Sequence, residues 1–289
     1  ITRPYLPQDY KHDTGPYTVE QVVHVEASWH HSKGKGVVEE TQFIESLAFG
    51  TGTVKLGGIV ATADPRDRNF KKILKLHHKA SPHFRGIRKM ASFHEDKEIH
   101  AWADEPHLYR NKKFLKGFEV LSQYNLSFDA WVYSTQLEDV IYLAKQFPET
   151  SIVLDHLGTP AGLFGPIGTN TGMTQTAREN IFFRWKDDLA ELASCPNVYT
   201  KMSGLFMPVL GHRFHKEGRL ASKQEVFDLA HPMITHTLAC FGTYRVMFAS
   251  NFPMDSVSTS LVNIIDAFSD VVAAYDPDAL ERVFHHNAK

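Results

Sequence analysis

Ser151-Ile152-Val153-Leu154-Asp155-His156-Leu157-Gly158 is an apolar run of strand length that passes directly into polar groups and a turn. A Gly/Pro/Thr-rich stretch follows, from Leu157 to Thr176, and then a helical stretch around Trp185, Leu189 and Leu192. Strand, polar end, loop and helix in that order make one βα unit, the repeating element of a parallel sheet.

The same rhythm runs outward in both directions. Toward the N-terminus the strand-like runs are Val22 to Ala27, Gly58 to Ala63, Phe84 to Arg88 and Leu126 to Val132. Toward the C-terminus they are Val198 to Ser203 and Arg245 to Ser250. Between them lie amphipathic segments, among them one bearing Phe70, Ile73, Leu74 and Leu76 and another bearing Phe114, Leu115, Phe118 and Leu121. Two helices are expected to open on capping boxes, Thr135 with Glu138 and Ser222 with Glu225. Seven βα units follow one another with no linker or shift in composition, so residues 1–289 read as one α/β domain. Seven strands are one short of a (β/α)8 TIM barrel. The first strand is the one expected to be missing, because Thr2 to Lys11 reads as the tail of a preceding loop, and both ends of the chain read as cut. A doubly wound open sheet is the alternative. No Gly-x-Gly-x-x-Gly follows the first strand, and no Walker A pattern occurs.

Composition narrows the class. Of 289 residues, 43% are hydrophobic and 22% charged, as in a folded globular chain. A net charge of −2 speaks against a nucleic-acid partner. No run has the roughly 20 apolar residues of a membrane span, and the start has no apolar core of a signal peptide. Cys195 and Cys240 stand alone, which excludes a disulfide framework and points to a reducing, cytoplasmic setting. Of the seventeen histidines, the pairs His30-His31, His77-His78 and His285-His286 read as exposed or half-buried.

In a barrel, chemistry sits at the C-terminal ends of the strands. His24 and Glu26 share a face of the first run, and Glu26 is either an acid/base or metal-binding group or the partner of a buried cation such as Lys201. Arg85 and Arg88 have opposite parity. Arg88, nearer the strand end, is the candidate to hold a substrate carboxylate or oxyanion, with a structural ion pair as the other reading. His156 is the strongest candidate, as metal ligand or general base. Lys201 reads equally well as a counter-charge inside the barrel. Asn251 and Asp255 compete for the place of the water-activating carboxylate after the last strand. Trp29, Trp102, Tyr133 and Phe206 are candidates for the pocket wall.

The motif series Val-His-Val-Glu-Ala, Phe-Arg-Gly-Ile-Arg, Leu-Ser-Phe-Asp, Val-Leu-Asp-His-Leu-Gly-Thr-Pro, Tyr-Thr-Lys-Met-Ser-Gly-Leu, Met-Phe-Ala-Ser-Asn-Phe-Pro-Met-Asp and the final His-Asn-Ala-Lys resembles the amidohydrolase-related (amidohydrolase 2) family. Within it, the series is most similar to the group of sugar-lactone and pyrone-dicarboxylate lactonases. The resemblance implies a distorted (β/α)8 barrel and a hydrolase that opens a cyclic ester with activated water. It also implies a His-x-His pair on a first strand that this sequence does not contain. By the same resemblance His156 matches the family's histidine after strand six, and Asn251 stands where the family usually has an acidic residue. The implied cofactor is one divalent ion, zinc first, although some lactonases of this kind work without a metal. The expected partners are a small-molecule substrate and a second copy of the chain in a homodimer. A metal-dependent decarboxylase on the same barrel, or a non-catalytic ligand-binding barrel suggested by Asn251, are the other readings.

Overall fold

The computed structural model describes residues 4–29 and 34–289. Its strands are β1 (Gln21–Val25), β2 (Lys55–Thr62), β3 (Phe84–Arg88), β4 (Ser127–Ala130), β5 (Ile152–Leu154), β6 (Val198–Met202) and β7 (Val246–Phe248). They form one parallel sheet in chain order, β1 through β7. Sequential neighbours that are also spatial neighbours make a barrel wall, and a doubly wound sheet would instead reverse direction partway. The chain therefore has the (β/α)8 architecture expected of it, with seven strands. Among the described residues no strand pairs with the outer edge of β1 or of β7.

The helices are α1 (Pro7–Asp13), α2 (Val38–Ser46), α3 (Phe70–Ala80), α4 (Lys112–Ser122), α5 (Leu137–Gln146), α6 (Gln175–Ala193), α7 (Lys223–Phe241), α8 (Leu261–Tyr275) and α9 (Leu280–Phe284). Each helix between strands buries one stripe. On α6, Trp185, Leu189 and Leu192 recur at helical spacing and are fully buried, and the Trp185 indole N–H donates to the Leu157 carbonyl at 2.7 Å. That bond fixes the helix to the end of the strand before it. Tyr109, Phe114, Phe118 and Phe128 pack edge-to-face, tilted or, for Phe114 on Phe118, stacked, with centroids 5.0–6.0 Å apart, between α4 and β4. No helix among the described residues is long and apolar enough to cross a membrane.

Several expectations are corrected. The stretch read as a loop tail contains α1. Pro7 occupies its first turn, and the Leu6 N–H donates to the Asp9 carboxylate at 2.8 Å, so two start signals were present. Thr135 does not cap α5. It lies in a 3-10 turn, Ser134–Gln136, and Gln136 does the tethering: its oxygen accepts from Phe93 N–H at 2.8 Å and its amide donates to the Ala91 carbonyl at 2.9 Å. The Ser222–Glu225 box forms as expected. His77 is fully buried, with Nδ1 against Thr41 Oγ1 at 2.8 Å and Nε2 against the Thr62 carbonyl at 3.1 Å. Burial lowers its pKa to about 4. His30 and His31 lie outside the described residues, as do Thr2 and Arg3.

Candidate active site

Three of the strands are followed within three residues by a left-handed backbone position. Ser28 after β1, His156 after β5 and Asn251 after β7 all have positive φ, at 60°, 55° and 50°. After β5 the turn is sustained through Leu157, Gly158 and Thr159. It leaves Asp155 and His156, neighbours in the chain, at the mouth of the sheet, and the Gly204 backbone closes over the imidazole. A Cβ at Gly204 would stand 2.6 Å from the His156 ring.

Inside the sheet, parallel register aligns Thr62, Arg88 and Asp129 across β2, β3 and β4. Charged side chains on that face form one chain of ion pairs. Arg88 Nε donates to Glu26 Oε1 at 2.8 Å, and Arg88 Nη1 donates to Asp155 Oδ2 at 2.9 Å. Arg88 Nη2 also donates to the Glu26 carbonyl at 2.6 Å. Lys201 donates to Asp155 Oδ1 at 2.9 Å and to Asp129. Glu26 Oε2 accepts from the Thr62 hydroxyl at 2.9 Å and from Ser28 N–H at 3.0 Å. Glu26 thus pairs with Arg88, and Lys201 is the counter-charge of the two aspartates. Arg85 points away and is exposed, bonded to the Pro82 and Phe84 carbonyls.

Burial sets the titration of these groups. It pushes Asp155 up, but Lys201 and Arg88 together outweigh it and hold the carboxyl below the usual range. For Asp129 burial prevails over Lys201, and its pKa is raised. Burial also outweighs the neighbouring Asp155 at His156 and lowers the imidazole to about 4, so the ring is neutral at pH 7. Its Nδ1 is 2.8 Å from Ser203 Oγ.

Beside this cluster stands Trp131, which the sequence reading did not select. It lies over the Arg88 guanidinium at 5.7 Å and edge-on to His156 at 5.7 Å. Its indole N–H donates to Thr159 Oγ1 at 2.9 Å. The signal was available: Trp131 follows Asp129 by two residues, and alternation gives both one face. Trp102, 40% exposed, packs on Trp131 at 5.5 Å and so reaches the same rim. Tyr133 is buried, and its hydroxyl donates to the His100 carbonyl at 2.7 Å. Phe206 is fully buried against His212, while Trp29 packs on Phe43 at 5.2 Å.

The two candidates after β7 form a pair. The Asn251 amide donates to Asp255 Oδ1 at 2.8 Å, while the buried Oδ2 has no hydrogen-bond partner among the described residues. Burial pushes Asp255 up to about 7, against the smaller pull of Asn251 and the Phe206 backbone. Among the described residues no hydrogen bond or ion pair joins this pair to Arg88 or His156. The divalent ion implied by the resemblance finds a poor fit: no three His, Cys, Asp or Glu side chains among the described residues converge on one point. Both oxygens of Asp155 already carry cations, which leaves His156 as one nitrogen donor.

The model of the amidohydrolase family matches residues 5–289. An uncharacterized protein of Sinorhizobium fredii, y4mH, is 29% identical over 288 residues, covering 100% of this chain and 85% of the relative. An L-fucono-1,5-lactonase of Burkholderia ambifaria is 27% identical over 213 residues, 72% of this chain and 60% of that enzyme. Among solved structures, an amidohydrolase from Burkholderia multivorans, crystallised with bound zinc, superposes with a TM-score of 0.73 at 20% identity, over 99% of this chain and 87% of that one. A putative 2-pyrone-4,6-dicarboxylic acid hydrolase from Pseudomonas putida does so with a TM-score of 0.64 at 16% identity, over 99% and 89%. With a family match that runs through nearly the whole chain, on a parallel sheet in chain order, the protein belongs to the amidohydrolase family.

Proposed function

We propose that the protein hydrolyses a lactone of a sugar acid or dicarboxylate. The observation that carries this reading is a neutral imidazole, His156, beside a fixed guanidinium, Arg88, under the rim formed by Trp131 and Trp102. The similarity to L-fucono-1,5-lactonases supports a cyclic ester as substrate. A guanidinium has five N–H donors, and three of Arg88's meet Glu26 and Asp155. The remaining two are donors for the lactone carbonyl or a substrate carboxylate, and Glu26 and Asp155 hold their direction.

In this reading water adds to the lactone carbonyl, and Arg88 stabilises the resulting oxyanion. The ring C–O bond then breaks, the alkoxide takes a proton, and a hydroxy acid leaves. Nδ1–H of His156 donated to Ser203 leaves Nε2 with a lone pair, able to take the proton of the attacking water. Asp255, oriented by Asn251, is assigned to hold that water, with Glu26 in a supporting role. The zinc named with the Burkholderia multivorans structure would meet His156 as a single described ligand, so the steps are written with protein groups.

The test is proton release on a panel of sugar-acid and dicarboxylate lactones with the full-length protein. His156→Ala should lower kcat/KM by about 10²-fold or more while circular dichroism stays unchanged. Undiminished turnover in the folded variant removes His156 from the chemistry.

A further inference from the structure

A second cleft, of about 240 Å³, lies where the loops after β3, β4 and β5 meet α6. Its polar lining is His94, Ser134, Thr135, Thr171, Asn180 and Arg184, and Tyr133, Ile181 and Ala161 supply apolar walls. Asn180, Ile181 and Arg184 are one helical turn of α6 and so present one face.

Every polar group of that lining can donate a hydrogen bond, and none is a carboxylate. The His94 Nδ1 accepts the Asp96 backbone N–H at 3.0 Å. A backbone N–H only donates, so the ring proton sits on Nε2. Burial, against the pull of Asp96 and Glu95, lowers the pKa of this ring and favours its neutral form. Arg184 pairs loosely with Asp188, Nε to Oδ2 at 3.6 Å, so its guanidinium can take a closer acceptor. The side chains of Ser134, Thr135 and Asn180 make no hydrogen bond with other described residues.

The walls are held in place before anything binds. Asp96 Oδ2 accepts from Thr169 N–H at 2.8 Å, Asn170 N–H at 2.9 Å and Thr171 Oγ1 at 3.3 Å, which fastens the loop after β5 to the loop bearing His94. Tyr133 is fixed through its hydroxyl, and the His94 ring meets it edge-on at 5.7 Å. A pre-ordered cleft loses less freedom when it is filled.

We propose that this cleft is a second small-molecule site, separate from the His156–Arg88 cluster, and that it takes a carboxylate with a compact apolar body. Donors with no acid among them select an acceptor bearing negative charge, and Arg184 supplies the fork that a carboxylate fits. Tyr133 and Ile181 cover the apolar body. The volume is below the 300–1,000 Å³ or so usual for drug-sized ligands, which restricts the ligand to a single ring or a short chain.

The experiment is calorimetric titration of the full chain with benzoate, and with benzyl alcohol as its uncharged counterpart. Wild type should bind benzoate and bind benzyl alcohol at least tenfold more weakly. Arg184→Gln should weaken benzoate about tenfold, the usual loss for a charge-assisted hydrogen bond. Asn180→Asp keeps the shape and adds a negative charge at an exposed position, so it should weaken benzoate by as much and leave benzyl alcohol unaffected. Hydrolysis of the lactone substrate should be unchanged in both variants. The proposal is overturned if benzoate does not bind wild type, if benzyl alcohol binds equally well, or if benzoate binding survives both substitutions. The last result would place the anion elsewhere, at Arg88 for example.

Discussion

A buried carboxyl with one oxygen unpaired holds its proton, and Asp255 shows what that does to stability. Its folded pKa of about 7 lies above the ordinary carboxylate value, so between about pH 4 and 7 the folded state binds more protons than the unfolded chain. Stability from this group is complete below pH 4 and is lost as the pH rises through 7, at about 1.4 kcal/mol per unit. Asp255→Asn removes the titration. Urea unfolding at pH 4.5, 6 and 7.5 should therefore show the variant gaining on wild type at each step, and parallel curves would contradict the buried proton. From sequence, Asn251 and Asp255 looked like rivals four residues apart. The left-handed Asn251 and the 3-10 turn Met254–Val257 make them hydrogen-bonded partners, a relation that no spacing rule for helix or strand contains.

At the level of elements, the apolar runs were legible because burial imposes them. All seven strands lie where those runs do, and β3 begins and ends as read, at Phe84 and Arg88. The ends of other strands were not legible: the fifth and seventh runs extend to His156 and Ser250, while the strands stop at Leu154 and Phe248 and the backbone turns left-handed at His156 and Asn251. α1 was not legible because seven residues are too few to show an apolar stripe of helical period, although Pro7 and Asp9 mark its start. Close approach between elements was equally hidden. Gly117 on α4 faces the Pro65 carbonyl in the loop between β2 and α3, and a Cβ there would overlap it. Alanine, a better helix former by about 1 kcal/mol, should nonetheless destabilise the protein by about 1–3 kcal/mol, read as a lower unfolding midpoint. A stabilised Gly117→Ala would show that the helix shifts freely.

Across the whole molecule, five charged side chains from β3, β4, β6 and the ends of β1 and β5 share the interior: Glu26, Arg88, Asp155, Lys201 and Asp129. The sequence named each candidate pole, Arg88 for substrate and Lys201 for counter-charge, but their pairing depends on which strands face each other across the sheet. Lys201→Met would leave Asp155 and Asp129 buried with a missing cation, a loss of about 3–5 kcal/mol. Adding Asp129→Asn should recover part of it. Denaturant midpoints of the two variants measure this, and additive losses would mean the pair does not interact. The left-handed link at His156 carries this further. In the proposed reading His156 handles the proton; because it and Asp155 are consecutive, and Gly204 is moulded to the ring, a change at this turn also reaches the charge cluster beneath it. On that reading, the exposed Trp102 and the loops around it are where substrate range can vary while the charged floor stays whole.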